Sequence, residues 1–322
     1  MNRTADVRST LTWSSVTLPA GPAEGSVTLR VGEVVGPSDG PTVSIVCGVH
    51  GDEGPWGALA VLHALRRPLA GLRGRLRVIL AANPTSVAAD SRCSPLDQLD
   101  LNRVFPGSTT GSHSERLAAA LADVTRGSDV LIDLHGGGSW CVNAFTFRFP
   151  GGEALAAAVG APFVVDRPLG ANQLTGHAAA DGATVVAVEM GGRSAQEMAW
   201  RERLGDGVER MLAVAGALPK RLAAPPAPVP VDDLTTLRPS AGGVFVPSVR
   251  EPFVGTVVDG GTELGVVHDL ATMAPIEAFT APFERTAVLL LRPHVTVLEG
   301  GAMTYVVAAP RAADQAGRSA YV

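Results

Sequence analysis

The chain predicts an α/β protein, with a mostly parallel mixed sheet flanked by helices and a small all-β unit at the C-terminal end. Three observations carry this expectation. Over roughly the first 220 residues, short runs rich in β-branched residues alternate with stretches of helical apolar spacing, the pattern of strands paired in a sheet and covered by helices. The stretch from Pro219 to Asp233 holds five prolines, so it cannot continue a helix and reads as an extended linker. Beyond it, short strand-like pieces separated by Gly and Pro turns run to residue 309 with no helical pattern.

In chain order, residues 26–35 (SVTLRVGEVV) and 42–49 (TVSIVCGV) read as strands joined by the turn GPSDGP. Residues 54–66 have helical spacing, 75–82 (RLRVILAA) are strand-like, and 114–126 form a helix leading into the strand DVLIDL at 129–134. After the strand TVVAVEM at 184–190, Ser194 with Glu197 three residues on has the form of a capping box opening a long amphipathic helix that ends near Leu218. The C-terminal pieces are GVFVPSV, FVGTVV, GVVHDL, TAVLLL and YVVA. The expected division is therefore a larger unit over 1–220, a linker over 221–233, an all-β unit over 234–309 and a polar tail over 310–322 that frays.

Composition narrows the function classes. With 322 residues, 46% hydrophobic and 18% charged, the chain can bury a sizeable core and is not a disordered protein. A formal net charge of −5 and a pI near 5.8 leave no broad basic surface, which excludes nucleic acid and anionic membrane as expected partners. Three cysteines are too few and too unevenly numbered for a disulfide framework and point to a reducing compartment. The first residues show no apolar leader core and no uncharged run is long enough to span a bilayer, so a cytoplasmic location is expected, with homo-oligomerisation left open.

Four places could do chemistry. His50-Gly51-Asp52-Glu53 sits where an apolar strand ends and a helix begins, and a His and a Glu three apart there can face one point. Imidazole and carboxylate suit Zn²⁺, whose catalytic sites need a third protein ligand and an open position. The plainer alternative is a polar loop capping the helix. His135 ends the strand DVLIDL, at the edge where α/β sheets place their ligands, and supplies a third ligand, unless it is simply a hydrogen-bonded histidine at a strand end. Gly136 to Gly138 follow and would leave room for a substrate. Glu189 ends a third apolar strand, where a carboxylate is costly unless a metal site, a reaction or an arginine uses it. In the block from Arg92 to Arg103, two arginines and Asn102 could hold a carboxylate and an oxyanion, or lie on an ordinary exposed loop.

Taken together, TVSIVCGVHGDE, NPTSVAADSRCSPLDQLDLNRVFPG, IDLHGGG and VAVEMGG, in that order, resemble the succinylglutamate desuccinylase/aspartoacylase family of zinc-dependent, metallocarboxypeptidase-like amidohydrolases. The resemblance spans about residues 26 to 309. It implies a zinc-carboxypeptidase-like fold and one Zn²⁺ per chain held by His50, Glu53 and His135. It further implies Glu189 as general base, Arg92 against the scissile carbonyl oxygen, and Asn102 with Arg103 binding the substrate carboxylate. The implied activity is hydrolysis of the amide of a small N-acyl amino acid or related N-acyl amine to a carboxylic acid and a free amine. Carboxypeptidase-like cleavage of a small peptide is the alternative. A non-catalytic binding protein on the same fold is disfavoured, because all the implied site groups are retained. Further groups that would read a substrate side chain have no motif here, and Arg148, Arg167, Arg193 and Tyr305 are candidates.

Two other classes fail on context. Gly36-Pro37-Ser38-Asp39-Gly40 matches the serine-hydrolase elbow in form and His135-Gly136-Gly137-Gly138 an oxyanion loop, but the elbow needs a strand entering a helix, and Ser38 lies between two strand-like runs. The C-terminal unit resembles the barrel-sandwich folds of biotinyl and lipoyl carriers, yet Lys220 is the only lysine in the chain, so no residue there can carry the group. That unit is expected to shape the site or an oligomer interface.

Overall fold

The computed structural model describes residues 11–21, 25–249 and 253–311; residues 1–10 and 312–322, on which the leader and most of the fraying-tail expectations fall, lie outside them. The chain opens with the hairpin β1 (Thr12–Gly21) and β2 (Gly25–Val35) and continues through β3 (Ser38–Cys47), α1 (Gly54–Ala64), β4 (Arg73–Ile79) and α2 (Pro84–Ala89). A single 3₁₀ turn, Leu101–Arg103, precedes α3 (His113–Thr125), β5 (Val130–His135), β6 (Val142–Arg148), α4 (Glu153–Ala158), β7 (Phe163–Asp166), α5 (Leu174–Ala180), β8 (Thr184–Gly191) and α6 (Glu197–Val214). The remainder is strand: β9 (Val229–Leu237), β10 (Gly243–Pro247), β11 (Val257–Asp259), β12 (Glu263–His268), β13 (Pro275–Thr280), β14 (Arg285–Leu291), β15 (Thr296–Leu298) and β16 (Tyr305–Pro310).

A mixed 12-stranded sheet runs in the order β1-β2-β4-β3-β5-β8-β6-β7-β9-β16-β14-β11. Its centre, β4-β3-β5-β8, is parallel, and β2 and β6 flank that centre antiparallel. Every residue of β5 is buried, as expected of an apolar, β-branched strand with parallel neighbours on both sides and covering layers on both faces. Cys47 of β3 lies opposite Leu134, and His135 of β5 opposite Glu189 of β8, so the three strands finish at one edge of the sheet. The helices α1 and α6 pack against each other beside this centre.

Two local expectations are corrected. The capping box does not form before α6: Ser194 Oγ accepts from the Gln196 N–H at 3.2 Å, closing a turn, and Gln196 stands at the N-cap without a side-chain cap. The box forms instead at α3, where Ser112 and Glu115 satisfy each other's backbone N–H groups. The long helix also stops at Val214, short of Leu218, and Gly216 adopts a left-handed φ of +80° just past it.

The proline-rich stretch becomes strand from Val229, where β9 pairs in parallel with β7. Through β9, the strands β16, β14 and β11 extend the same sheet, and β14 also pairs with β6 at Val142 and Asn143. The other C-terminal strands form a second, four-stranded sheet in the order β13-β12-β10-β15. Among the described residues of 242–309 there is no α-helix. Phe245, Phe279 and Tyr305 pack edge-on between these strands, with Phe245 5.9 Å from Tyr305 and 6.3 Å from Phe279. No helix of the described residues is long and apolar enough to cross a membrane.

Tyr305 is fully buried in this C-terminal core and donates its hydroxyl to the Leu264 carbonyl at 2.5 Å, which leaves it no part in reading a substrate. Tyr305→Phe should therefore lower stability by about 1 kcal/mol, the usual worth of one buried hydrogen bond, read from a denaturant midpoint. It should leave any catalytic activity unchanged, and a selective rise in KM would return Tyr305 to the site.

Candidate metal centre and active site

The loop between β3 and α1 carries the first two metal-ligand candidates, and its shape is fixed by backbone. Gly48 takes a φ of +70° to turn the chain out of the strand. Gly51 lies so close to α2 that a Cβ would come within 2.0 Å of the Ser86 carbonyl carbon, while the Gly51 and Asp52 N–H groups both donate to the Ser91 carbonyl at 3.0 and 3.3 Å. Glu53 occupies the N-cap of α1 but makes no capping bond. Its carboxylate turns to the histidines instead, near the positive end of the helix.

Glu53 bridges two imidazoles. His50 Nδ1 lies 3.0 Å from Glu53 Oε1 and His135 Nδ1 2.8 Å from Oε2, with the ring centroids 5.0 Å apart. All three residues are buried, and one ligand atom from each falls within 4.8 Å of the others. The far nitrogens also meet carboxylates: His50 Nε2 lies 3.1 Å from Asp100 Oδ1 and His135 Nε2 3.0 Å from Asp133 Oδ2. A carboxylate hydrogen-bonded behind an imidazole, as Asp100 is behind His50, fixes ring orientation and strengthens the inner nitrogen as a ligand; Asp133 stands within ion-pair distance of His135 without a hydrogen bond to it. This donor set of two imidazoles and one carboxylate fits a divalent cation of the zinc type. Among the described residues no other group of metal-ligating side chains converges in this way.

The charges follow from this packing. Burial works against ionising Glu53, but the two histidines hold its carboxyl well below the ordinary range. Burial likewise opposes protonation of the histidines, yet Asp133 and Glu53 raise His135 well above its usual value, and Glu53 and Asp100 raise His50. A cation entering here replaces those protons.

Arg92, Asn102 and Arg103 reach the same place from the segment before α3. The Arg92 guanidinium is clasped by Asp100 Oδ2, at 2.9 Å from Nη2 and 3.2 Å from Nε, and its Nη1 stands 3.3 Å from His50 Nδ1 and 3.4 Å from Glu53 Oε1. Asp100 also accepts from the Asn102 N–H at 2.9 Å, so one carboxylate orders a histidine, an arginine and the 3₁₀ turn. Asn102 Oδ1 accepts from the Leu174 N–H at 2.9 Å, which leaves its Nδ2 as the donor toward the cavity. Arg103 Nη1 donates to the Asn102 carbonyl at 2.8 Å.

Glu189 closes the site from β8. Its Oε2 accepts from Asn143 Nδ2 at 2.8 Å. Burial, joined by the nearby negative charge of Glu53, raises its carboxyl to about 7, against the pull of the histidines. A cavity of about 90 Å³ is lined by His50, Arg92, Asn102, Arg103, His135 and Glu189, and a larger one of about 350 Å³ shares Arg103 and Arg167 with it.

The structure thus brings together all seven candidate site residues and corrects one expectation. Gly136 to Gly138 do not make room for a ligand: a Cβ would come 3.1 Å from the Met190 carbonyl oxygen at Gly136, 2.0 Å from the Cys141 carbonyl oxygen at Gly137 and 2.6 Å from Asp52 Oδ2 at Gly138. They are small because protein packs against them. Of the four further candidates only Arg167 lines the cavity, its guanidinium 4.8 Å over the Phe147 ring; Arg148 pairs with Asp166 and Arg193 with Asp90. Asp100, Asp133 and Asn143 were missed. Asp133 had a signal, since residues two apart on a strand share a face and D-x-H places a carboxylate beside the histidine.

An α/β protein with a His-Glu-His cluster at the edge of its parallel strands is the class defined so far. Residues 39–215 match the succinylglutamate desuccinylase/aspartoacylase catalytic domain, and the chain belongs to that family. A curated relative, the N-alpha-acetyl-L-2,4-diaminobutyric acid deacetylase of Halomonas elongata, is 37% identical over 119 residues, a match spanning 36% of this chain and 34% of the relative. A succinylglutamate desuccinylase from Silicibacter sp. TM1040 shares the fold, with a TM-score of 0.80 at 20% identity over 94% of this chain and 95% of that one. A succinylglutamate desuccinylase/aspartoacylase from Rhodobacter sphaeroides matches with a TM-score of 0.78 at 25% identity over the same shares.

Purified protein should hold about one zinc per chain by elemental analysis, as a three-ligand site requires, and His50→Ala, Glu53→Ala and His135→Ala should each lose it. Cys47 is the contrast. It is buried under α1, where a Cβ on Gly57 would come 3.0 Å from its own Cβ, and burial pushes its thiol pKa up, so Cys47→Ala should keep full metal content. Undiminished zinc in the triple alanine variant would place the metal elsewhere.

Proposed function

We propose that this protein hydrolyses the amide bond of a small N-acyl amino acid or related N-acyl amine, with one Zn²⁺ held by His50, Glu53 and His135. The observation that carries this is the meeting, at one small cavity lined by His50 and His135, of a buried two-histidine, one-carboxylate ligand set, a carboxylate raised to about 7 and a group of amide and guanidinium donors. Family membership and the N-acetylated substrate in the name of the Halomonas elongata relative support the same chemistry. When bound, Zn²⁺ would supply a Lewis acid for the scissile carbonyl and lower the pKa of a water.

The remaining work falls to side chains. Glu189 takes the proton from the attacking water and returns it to the departing amine, a task suited to a carboxylate whose pKa is near neutrality. Arg92, already turned toward the ligand set by Asp100, donates to the oxygen on which negative charge develops. Asn102 Nδ2 and Arg103 hold the carboxylate of the amino-acid part, so that the amide is presented at a fixed distance. Arg167, at the border of the two cavities, adds a second guanidinium beyond that clamp. Carboxypeptidase-like cleavage of a dipeptide uses the same clamp, and the cavity of about 90 Å³ favours short substrates in either case. A screen of N-acetyl, N-succinyl and N-formyl amino acids against dipeptides separates the two; activity on dipeptides alone would overturn the deacylase assignment.

Arg103→Lys keeps the charge but loses the fork that matches a carboxylate, so KM should rise more than kcat falls, and wild type should discriminate against the amide analogue of its acid substrate. Equal hydrolysis of acid and amide would remove the clamp.

Glu189→Gln should keep zinc and fold while kcat falls by at least about a hundredfold, the usual scale for a general base. Because the base acts ionised, wild-type kcat/KM should decline as pH drops through the Glu189 pKa, at about 7 or lower once the cation favours the charged form. The Gln variant should lack that acidic limb. Near wild-type turnover in the Gln variant would assign proton transfer to another group.

A further inference from the structure

We infer that Asn143 is the positioning residue for Glu189, holding one carboxylate oxygen so that the other is the one that takes and returns the proton. The inference rests on Glu189 being the base, as proposed above. Asn143 is 4% exposed and lies on β6, which pairs antiparallel with β8. In that register Phe145 is opposite Glu189 and Asn143 opposite Gly191, so Asn143 and Glu189 are diagonal neighbours on one face of the sheet. With no side chain on Gly191, nothing stands between them.

The bond has a defined direction. Asn143 Nδ2 donates to Glu189 Oε2 at 2.8 Å, while Asn143 Oδ1 faces the Cys141 thiol with the sulfur at 3.5 Å. Turning the amide over would set its oxygen against the carboxylate and its NH₂ against a weak acceptor, so the network selects the donor for Glu189. Among the described residues no hydrogen bond reaches Glu189 Oε1. One oxygen is tethered and the other left free on the cavity side, the division a proton carrier needs.

A buried amide is costly where an apolar residue would pack unless it is hydrogen-bonded, and the short bond this one donates goes to Glu189, at 2.8 Å. The side chain is accounted for by the carboxylate it holds.

The test is a double-mutant cycle on the zinc-loaded enzyme with its best substrate from the acyl amino acid screen. Asn143→Leu, of similar volume and without a donor, should lower kcat about tenfold or more, with KM within about twofold and zinc content unchanged, the pattern of a loss felt in the transition state only. In a Glu189→Gln background the same change should cost less than about twofold, because residues acting through one another are not additive. Asn143→Ser, which keeps a donor, should recover part of the lost kcat and serves as the test variant with Asn143→Ala if the leucine variant does not fold. An equal loss in both backgrounds, or a kcat unchanged by removing the donor, would overturn the inference while leaving Glu189 as base. High turnover in Glu189→Gln alone would overturn both.

Discussion

The carboxylate of Glu53, buried between two imidazoles and bonded to each Nδ1, is the contact around which the rest of the site is arranged. It demands that a loop after β3 and the last residue of β5 meet within hydrogen-bond distance. Adjacent parallel strands with aligned ends make that possible, and glycines at 48 and 51 allow the loop to press against α2 closely enough. Asp100 then holds the His50 ring from behind, and the Asp133 carboxylate stands 3.0 Å from the far nitrogen of His135. Concentrating three carboxylates around two histidines away from water is unfavourable unless positive charge is supplied. Arg92 supplies part of it, and the carboxylates raise both imidazoles toward their charged forms. A divalent cation held by the inner nitrogens and Glu53 would answer the same demand.

Two carboxylates at one site are pushed in opposite directions, and the cause is their partners. Glu53 faces two groups that become cationic and is held ionised. Glu189, partly buried at the cavity wall, has a neutral amide as its hydrogen-bond partner, so desolvation prevails and its carboxyl rises to about 7. Separation of this kind suits the proposed roles, the depressed group as ligand and the raised one as proton carrier. Both assignments depend on β5 and β8 running side by side, since His135 and Glu189 are paired residues in that ladder.

Much of this was legible in the sequence because the elements that position the ligands are strongly patterned. The strands leading to His50, His135 and Glu189 are mostly apolar runs, and burial from both faces produces such runs. The helix boundary at Ser194 was misread, because a serine can serve either a capping box or a tight turn and only the backbone decides. β6 and β7 were missed: β7 is only 4 residues long, and polar residues interrupt the apolar pattern of β6, where Asn143 and Thr146 are buried polar groups whose partners, Glu189 and the Ala187 carbonyl, come from a strand more than forty residues on. Asp100 escaped for a related reason. Its value lies in bonds to His50 and Arg92, and no local spacing encodes a partner fifty residues away.

The C-terminal strands have a physical connection to this chemistry that composition alone could only suggest. Without a lysine they cannot carry a group, but β14 pairs with β6 at Val142 and Asn143, and the Asn143 amide bonds Glu189, the proposed base. Arg292, just past β14, lies 4.2 Å over the Trp140 ring and donates to the Met303 carbonyl at 2.7 Å, fastening the loop that follows His135. β6 would otherwise be held near Asn143 only by β8, and a strand paired on one side opens more readily than one paired on both. Pairing on both sides limits how far Asn143 can move. A small all-β unit can thus act on a reaction it does not touch, by holding the strand beside the base still.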